Sequence, residues 1–94
     1  MIVNQNDNQN DNQNDDYFIL LESIKDYVLA VQRVKFMVLV RTSNYAGSIV
    51  AAHIDELNIP EIVSTLAGIN NIMIICQSDS DADIVLQAFK AISE

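Results

Sequence analysis

The chain has 94 residues, half of them hydrophobic, and 13 acidic against 5 basic residues give it a formal net charge of −8. Nucleic-acid binding needs clustered Lys or Arg, so this balance argues against a free-standing DNA- or RNA-binding protein. The sequence contains no apolar stretch of membrane-spanning length and no signal peptide, and its one cysteine, Cys76, cannot form an internal disulfide. These features predict a cytoplasmic protein without a membrane partner.

The first segment is a polar repeat, because Asn-Gln-Asn-Asp occurs three times over residues 4–15. A tract without apolar residues cannot offset its own ordering entropy. We therefore predict that residues 1–16 form a disordered tail and that residues 17–94 form one small domain. A domain this small and this aliphatic leaves an apolar face exposed, which predicts self-association.

The domain opens with apolar residues at helical spacing over residues 17–25, which predict a short lead-in helix. Residues 27–41 then alternate β-branched and polar side chains. Fifteen residues exceed the usual length of one strand. We predict two antiparallel strands that reverse at the most polar point, residues 32–35.

Residues 42–58 carry the clearest helical pattern. The Thr-Ser-Asn of residues 42–44 can cap its start, and Asn58 and Pro60 end it. Its apolar stripe consists of Ala46, Ile49, Val50, Ile54 and Leu57.

A β-hairpin is predicted next, because the apolar runs of residues 62–66 and 72–76 flank Ala-Gly-Ile-Asn-Asn. Gly68 and the two asparagines tolerate positive φ, which favours a tight reversal. The second run is apolar at consecutive positions, which predicts a strand covered on both faces.

The last predicted helix follows Gln77, with Ser78 or Ser80 as its cap and aspartates in its first turn. Its buried stripe is Ala82, Val85, Leu86, Phe89 and Ile92. The alternating aspartates of residues 79–83 superficially resemble a calcium loop, but the required Gly and terminal Glu are lacking. No metal site is predicted.

The elements follow the order helix, strand, strand, helix, strand, strand, helix. This order predicts an α/β (α+β) two-layer sandwich, with a four-stranded, mostly antiparallel sheet and two helices packed on one face. The short lead-in helix precedes these two layers.

Four segments carry a family resemblance: residues 26–41 (DYVLAVQRVKFMVLVR), 51–57 (AAHIDEL), 60–68 (PEIVSTLAG) and 72–76 (IMIIC). From about residue 25 to residue 92 the chain resembles the C-terminal domain of bacterial arginine repressors. The resemblance implies a domain that assembles trimers into a hexamer and binds L-arginine between the trimers. In the family a winged helix-turn-helix domain precedes it and binds operator DNA, whereas the Asn/Gln/Asp tract stands in that place here.

The resemblance also implies a ligand site. Its positions in this chain are Ser48, Asp55, Thr65, Ala67, Ile69 and Asn70. The family typically has Gln at the position of Ser48, and its Gly-Asp-Asp turn is Gly-Ile-Asn here. Because a guanidinium group prefers bidentate carboxylates, we expect this degenerate site to bind arginine only as a weak effector, with no other cofactor.

Three function classes remain open. The first is an assembly and effector domain that regulates arginine metabolism with itself or with a full-length repressor. The second is a purely structural homo-oligomer without a ligand. The third, an enzyme, is disfavoured, because the chain has one histidine, one cysteine and no glycine-rich phosphate loop. His53 lies beside the apolar stripe of its helix, which favours a packed side chain over a metal ligand or catalytic base.

Overall fold

The computed structural model describes the backbone of residues 2–93 and the side chains of residues 15–93. Seven elements follow one another: α1 (Ile2–Tyr27), β1 (Val28–Val34), β2 (Met37–Thr42), α2 (Gly47–Glu56), β3 (Ile62–Ala67), β4 (Asn71–Cys76) and α3 (Asp79–Ser93). This is the predicted order, and the α+β class is confirmed. The lead-in helix, predicted over residues 17–25, is α1 and begins at Ile2. The predicted division of the chain into a tail, residues 1–16, and a domain, residues 17–94, stays a prediction.

The four strands form one sheet in the order β1-β2-β4-β3, and all three pairings are antiparallel. The predicted hairpin is therefore confirmed, with β4 in the middle of the sheet and β3 at one edge. Strand β1 forms the other edge.

The hydrophobic core lies between one face of the sheet and the helices. In the β2–β4 pairing, Val38 lies opposite Ile74 and Val40 opposite Ile72, and all four side chains are buried. On its helical side the core contains Val50 and Ile54 from α2, and Val85 and Phe89 from α3. Helix α1 adds Leu20 and Ile24, so the lead-in helix belongs to the core although only two packed helices were predicted.

Helix α3 follows its predicted pattern. The Ser78 side-chain oxygen accepts a hydrogen bond from the Asp81 amide at 3.1 Å, which confirms the predicted N-cap. Val85, Leu86 and Phe89 lie on its buried face.

Cys76 is buried at the end of β4, where desolvation raises the pKa of its thiol and Asp81 and Glu61 add to the shift. The thiol is thereby kept neutral and acts as a small core side chain.

The β1–β2 reversal lies later than predicted. Gln32 and Arg33 pair with Leu39 and Val38 within the ladder, and the turn is formed by Lys35 and Phe36. Lys35 takes φ 54°, and the Arg33 guanidinium donates to its carbonyl at 2.6 Å. A lysine in the left-handed region is not a turn signal that sequence patterns provide.

The start of α2 also differs from the prediction. Thr42 belongs to β2, and the cap position is Ala46, which makes no side-chain capping bond. Ile49, predicted in the buried stripe, is exposed, whereas Ala51 is buried. The end is as predicted, since Asn58 takes φ 50° directly after the helix and Pro60 follows.

Among the described helices, none is long and apolar enough to cross a membrane.

Candidate functional site

The turn between β3 and β4 is bound to the loop that precedes α2. The Thr42 amide donates to the Asn70 carbonyl at 2.8 Å, and the Gly47 amide donates to the Ile69 carbonyl at 3.1 Å. The Asn70 side chain accepts a third bond, from the Tyr45 amide at 2.8 Å. The carbonyl of a distant turn therefore satisfies an amide at the start of α2, which explains why no local Thr, Ser or Asn cap is used.

The two glycines of the chain meet at this contact. A Cβ atom on Gly47 would lie 2.8 Å from the Asn71 carbonyl oxygen and closer still to the Gly68 carbonyl oxygen. A Cβ atom on Gly68 would meet only the Asn71 side chain. Neither glycine has positive φ, nor do Asn70 and Asn71, so the chain reverses here without the left-handed conformation that these residues tolerate. The glycines serve close approach of the two segments.

A second polar contact joins α2 to β3. The Thr65 hydroxyl donates to an Asp55 carboxylate oxygen at 2.9 Å, and Asp55 is exposed to solvent. The second carboxylate oxygen of Asp55 accepts no hydrogen bond from the described residues. The contact leaves one anionic oxygen free for a donor from outside the chain.

The six residues implied by the family resemblance fall into two groups. Asp55 and Thr65 are joined directly, while Ile69 and Asn70 lie in the turn that is bonded to the start of α2. Ser48 and Asp55 are seven residues apart on α2, so they lie on one helix face about two turns from each other. Ser48 and Ala67 are exposed and make no side-chain hydrogen bond among the described residues. Of the six, only Asp55 carries a charge.

The sheet face opposite the helices is apolar and uncovered. In the ladder, Leu39 lies opposite Met73, and Leu66 lies on the other side of Met73. Met73 is 39% exposed and Leu66 is 62% exposed. Met37 and Ile75 extend this surface along the strands and are half-buried. The strand predicted to be covered on both faces is thus covered on one face within a single chain.

A concavity lies on this open sheet face. It is a broad groove of about 790 Å³, and Leu39, Leu66 and Met73 line it together with Arg41 and Asn70. Of the predicted site residues it includes Ala67 and Asn70, whereas Asp55 borders a separate depression of only about 90 Å³. A groove this open suits a subunit contact better than an enclosed small-molecule site.

Sequence reasoning missed the residues that hold the turn in place. Gly47 and Tyr45 make its backbone contacts, and neither was singled out. The available signal was the position of Gly47 as one of only two glycines in the chain. A glycine at a helix start, with no turn of its own to form, is compatible with close backbone approach.

Comparison with known proteins gives a consistent result. The family described as "Arginine repressor, C-terminal domain" matches residues 24–91. The chain is 38% identical over 64 residues to an arginine repressor of Enterococcus faecalis, covering 68% of this chain and 42% of that protein. It is 36% identical over 70 residues to an arginine regulator of Lactiplantibacillus plantarum, covering 74% and 46%. It is 31% identical over 75 residues to an arginine repressor of Clostridium novyi, covering 80% and 50%. The chain thus spans about half the length of the curated relatives that it matches.

Proposed function

The chain belongs to the family of the arginine repressor C-terminal domain, and we propose that it is a non-enzymatic assembly domain in the transcription regulation of arginine metabolism. The named relatives are repressors and regulators, which supports a regulatory role. With 13 acidic and 5 basic residues, the chain itself is poorly suited to contact DNA phosphates. It acts on transcription by assembling with itself or with a full-length repressor, in the cytoplasm where the operator lies.

The observation that carries this proposal is the uncovered apolar face of the sheet. Leu39, Leu66 and Met73 lie side by side on it and are flanked by Met37 and Ile75. Contiguous apolar surface of this kind marks a subunit contact. Because β4 is apolar on both of its faces, burial of its second face requires another chain. We place this face at the centre of a trimer, the closed assembly that the family resemblance implies.

The ligand site in this proposal is degenerate. Ile69 presents an apolar side chain, and the Asn70 side-chain oxygen is already occupied by the Tyr45 amide. Asp55 remains as the one carboxylate, with one of its oxygens bonded to Thr65. Each charged hydrogen bond that is lost costs about 1.5–3 kcal/mol, so two lost carboxylates lower arginine affinity by several hundred-fold or more. L-Arginine is therefore at most a weak effector.

The experiment that tests the assembly face replaces Met73 with Glu. A buried unpaired carboxylate opposes association, so M73E is expected to sediment as a monomer where the parent chain sediments as a trimer or hexamer. The matched control is Ile84→Glu, since Ile84 is an exposed apolar residue on α3. An M73E protein that assembles like the parent would exclude the open sheet face as the subunit contact.

The second candidate is a purely structural homo-oligomer, and the apolar Ile69 in the ligand-site turn is the observation that favours it. Co-purification separates the two candidates. The chain is expressed with a tagged full-length arginine repressor, for example that of Enterococcus faecalis. A regulatory assembly domain is expected to be retained with the repressor in mixed oligomers, and the M73E variant is expected to be lost. If neither the chain nor its M73E variant is retained with the repressor, the result favours the structural homo-oligomer.

A further inference from the structure

Arg41 lies on the open sheet face. In the β2–β4 ladder it is opposite Asn71, and it is two residues beyond Leu39, which lies opposite Met73. Residues that are opposite each other, or two apart along a strand, share one face of a sheet. On its other side Arg41 pairs with Ala30 of β1, and it is exposed. Arg41 therefore borders the apolar surface to which we assign the subunit contact.

Arg41 is the only charged residue that the described ladder places on this face. The remaining strand positions on the face carry apolar side chains or the uncharged polar residues Gln32, Ser64 and Asn71. Among the described side chains, Arg41 makes neither an ion pair nor a hydrogen bond. Burial of an unpaired guanidinium group opposes association. A contact that covers Arg41 therefore has to supply an acceptor from the other chain.

The edges of the sheet carry carboxylates that suit this role. Asp26 lies two residues before edge strand β1, and Glu61 lies directly before edge strand β3. Asp26 is exposed and Glu61 is half-buried, and neither is ion-paired among the described side chains. A second copy that approaches the open sheet face with one of its edges brings one of these carboxylates with it. The planar guanidinium group can bind such a carboxylate through two parallel hydrogen bonds.

We propose that Arg41 sets the register of the subunit contact by binding a carboxylate of the neighbouring copy, that of Asp26 or Glu61. The inference rests on the proposed function, since it places Arg41 within the contact made by the open sheet face. The apolar residues Leu39 and Met73 supply burial, whereas an ion pair supplies register and orientation. In a closed ring of three copies, each copy gives its arginine to one neighbour and its carboxylate to the other. The pair also offsets part of the repulsion between copies that each carry a net charge of −8.

Arg41→Met tests the pair, because it keeps an unbranched apolar side chain and removes the charge. Sedimentation over a range of concentrations measures how much protein is needed for half of the chain to assemble. Loss of the guanidinium group leaves a covered carboxylate unpaired, so R41M is expected to need at least about tenfold more protein than the parent. Lys90→Met is the matched control, since Lys90 is exposed on α3 and its substitution removes the same charge. It is expected to assemble like the parent, and circular dichroism establishes that each variant is folded.

Arg41→Lys identifies the partner carboxylate. The variant keeps the positive charge, and a carbodiimide joins its new amine to a carboxylate that lies in contact with it. Peptide mapping of mixed isotope-labelled and unlabelled chains distinguishes a link between two copies from a link within one copy. The expected link joins position 41 of one copy to Asp26 or Glu61 of another. A link only to other acids, a link only within one copy, or no link would overturn the proposed pair.

The outcomes separate this inference from the proposed function. A monomeric parent chain would contradict the open sheet face as a subunit contact, and the pair with it. If the parent assembles, M73E dissociates and R41M assembles as readily as the parent or more readily, the open sheet face stands and the ion pair is overturned. Equal weakening in the Arg41→Met and Lys90→Met variants would trace the effect to net charge and would also overturn the pair.

Discussion

The Asn70 side-chain oxygen accepts a hydrogen bond from the backbone amide of Tyr45 at 2.8 Å, across 25 residues of sequence. This bond ties the β3–β4 turn to the loop before α2. It also engages the position at which the family resemblance implies a ligand-facing carboxylate. The Asn70 side chain therefore holds the turn in place, and any contact that it makes with a ligand must leave this hydrogen bond intact.

The Asn70–Tyr45 bond gives a first prediction. Asn70→Ala leaves the Tyr45 amide without its protein acceptor and is expected to lower the free energy of unfolding by about 0.5–1.5 kcal/mol, because the bond is exposed and water can partly replace it. Asn70→Asp retains an acceptor oxygen and is expected to unfold at nearly the parent urea concentration. Equal loss in both variants would mean that the amide bond is not what Asn70 contributes.

The two glycines give a second prediction, since a methyl group meets backbone at one of them and a side chain at the other. Gly47→Ala is expected to lower the free energy of unfolding by about 1–3 kcal/mol, because the Gly68 and Asn71 carbonyls must move apart from α2. Gly68→Ala requires only that the Asn71 side chain rotate, so its cost is expected to be smaller. Urea denaturation of both variants measures the difference. The reverse ranking would show that the turn is not packed on α2 as described.

The polar repeat gives a third prediction. Deletion of residues 1–15 is expected to leave the thermal midpoint and the assembly unchanged, because twelve of these residues, 4–15, have no apolar side chain to bury. Leu20→Ala in the same helix is the contrast, since Leu20 is only 4% exposed and its truncation is expected to cost about 2–5 kcal/mol. A large fall in thermal stability on deletion of residues 1–15 would contradict the account of the tail.

Restoration of the ligand-site carboxylates gives a fourth prediction. Ile69→Asp combined with Asn70→Asp is expected to create or strengthen L-arginine binding, with Ser48→Gln as a further addition. Two charged hydrogen bonds of about 1.5–3 kcal/mol each correspond to a gain of two orders of magnitude or more. Titration calorimetry on the parent and the double variant measures it, with Ile84→Asp as the charge control.

Equal arginine affinity in the parent and the double variant, with the oligomer unchanged, would mean that positions 69 and 70 do not face the ligand. The residue-by-residue assignment from the family would then be wrong at the turn. Because Ile69 is exposed in the single chain, the substitution is expected to cost little folding free energy in the monomer.

The sequence predicted those parts of the fold whose causes are local. The buried stripe of α3, with Val85, Leu86 and Phe89, and its Ser78 cap lie within a few residues of one another, and both are confirmed. The start of α2 was misplaced because the Gly47 amide finds its acceptor on Ile69, a contact between segments distant in sequence. Local capping preferences cannot report such a partner.

The candidate site shows the same division. Thr65 and Asp55 were grouped through the family resemblance, and the structure joins them by a hydrogen bond. Ile49 was assigned to the buried stripe of α2 but is exposed, because the buried face of this helix consists of Gly47, Val50, Ala51 and Ile54. The apolar run of β4 predicted cover on both faces, yet a sequence pattern cannot distinguish cover by the same chain from cover by another.

The central proposal is that this chain is an assembly domain with a degenerate arginine site. The most direct measurement is a native mass spectrum of the full chain at micromolar concentration, with and without L-arginine, which reports stoichiometry and ligand count together. We expect the same trimer or hexamer in both spectra, with little or no bound arginine. A species at 10.5 kDa alone, or a hexamer that appears only with bound arginine, would contradict the claim.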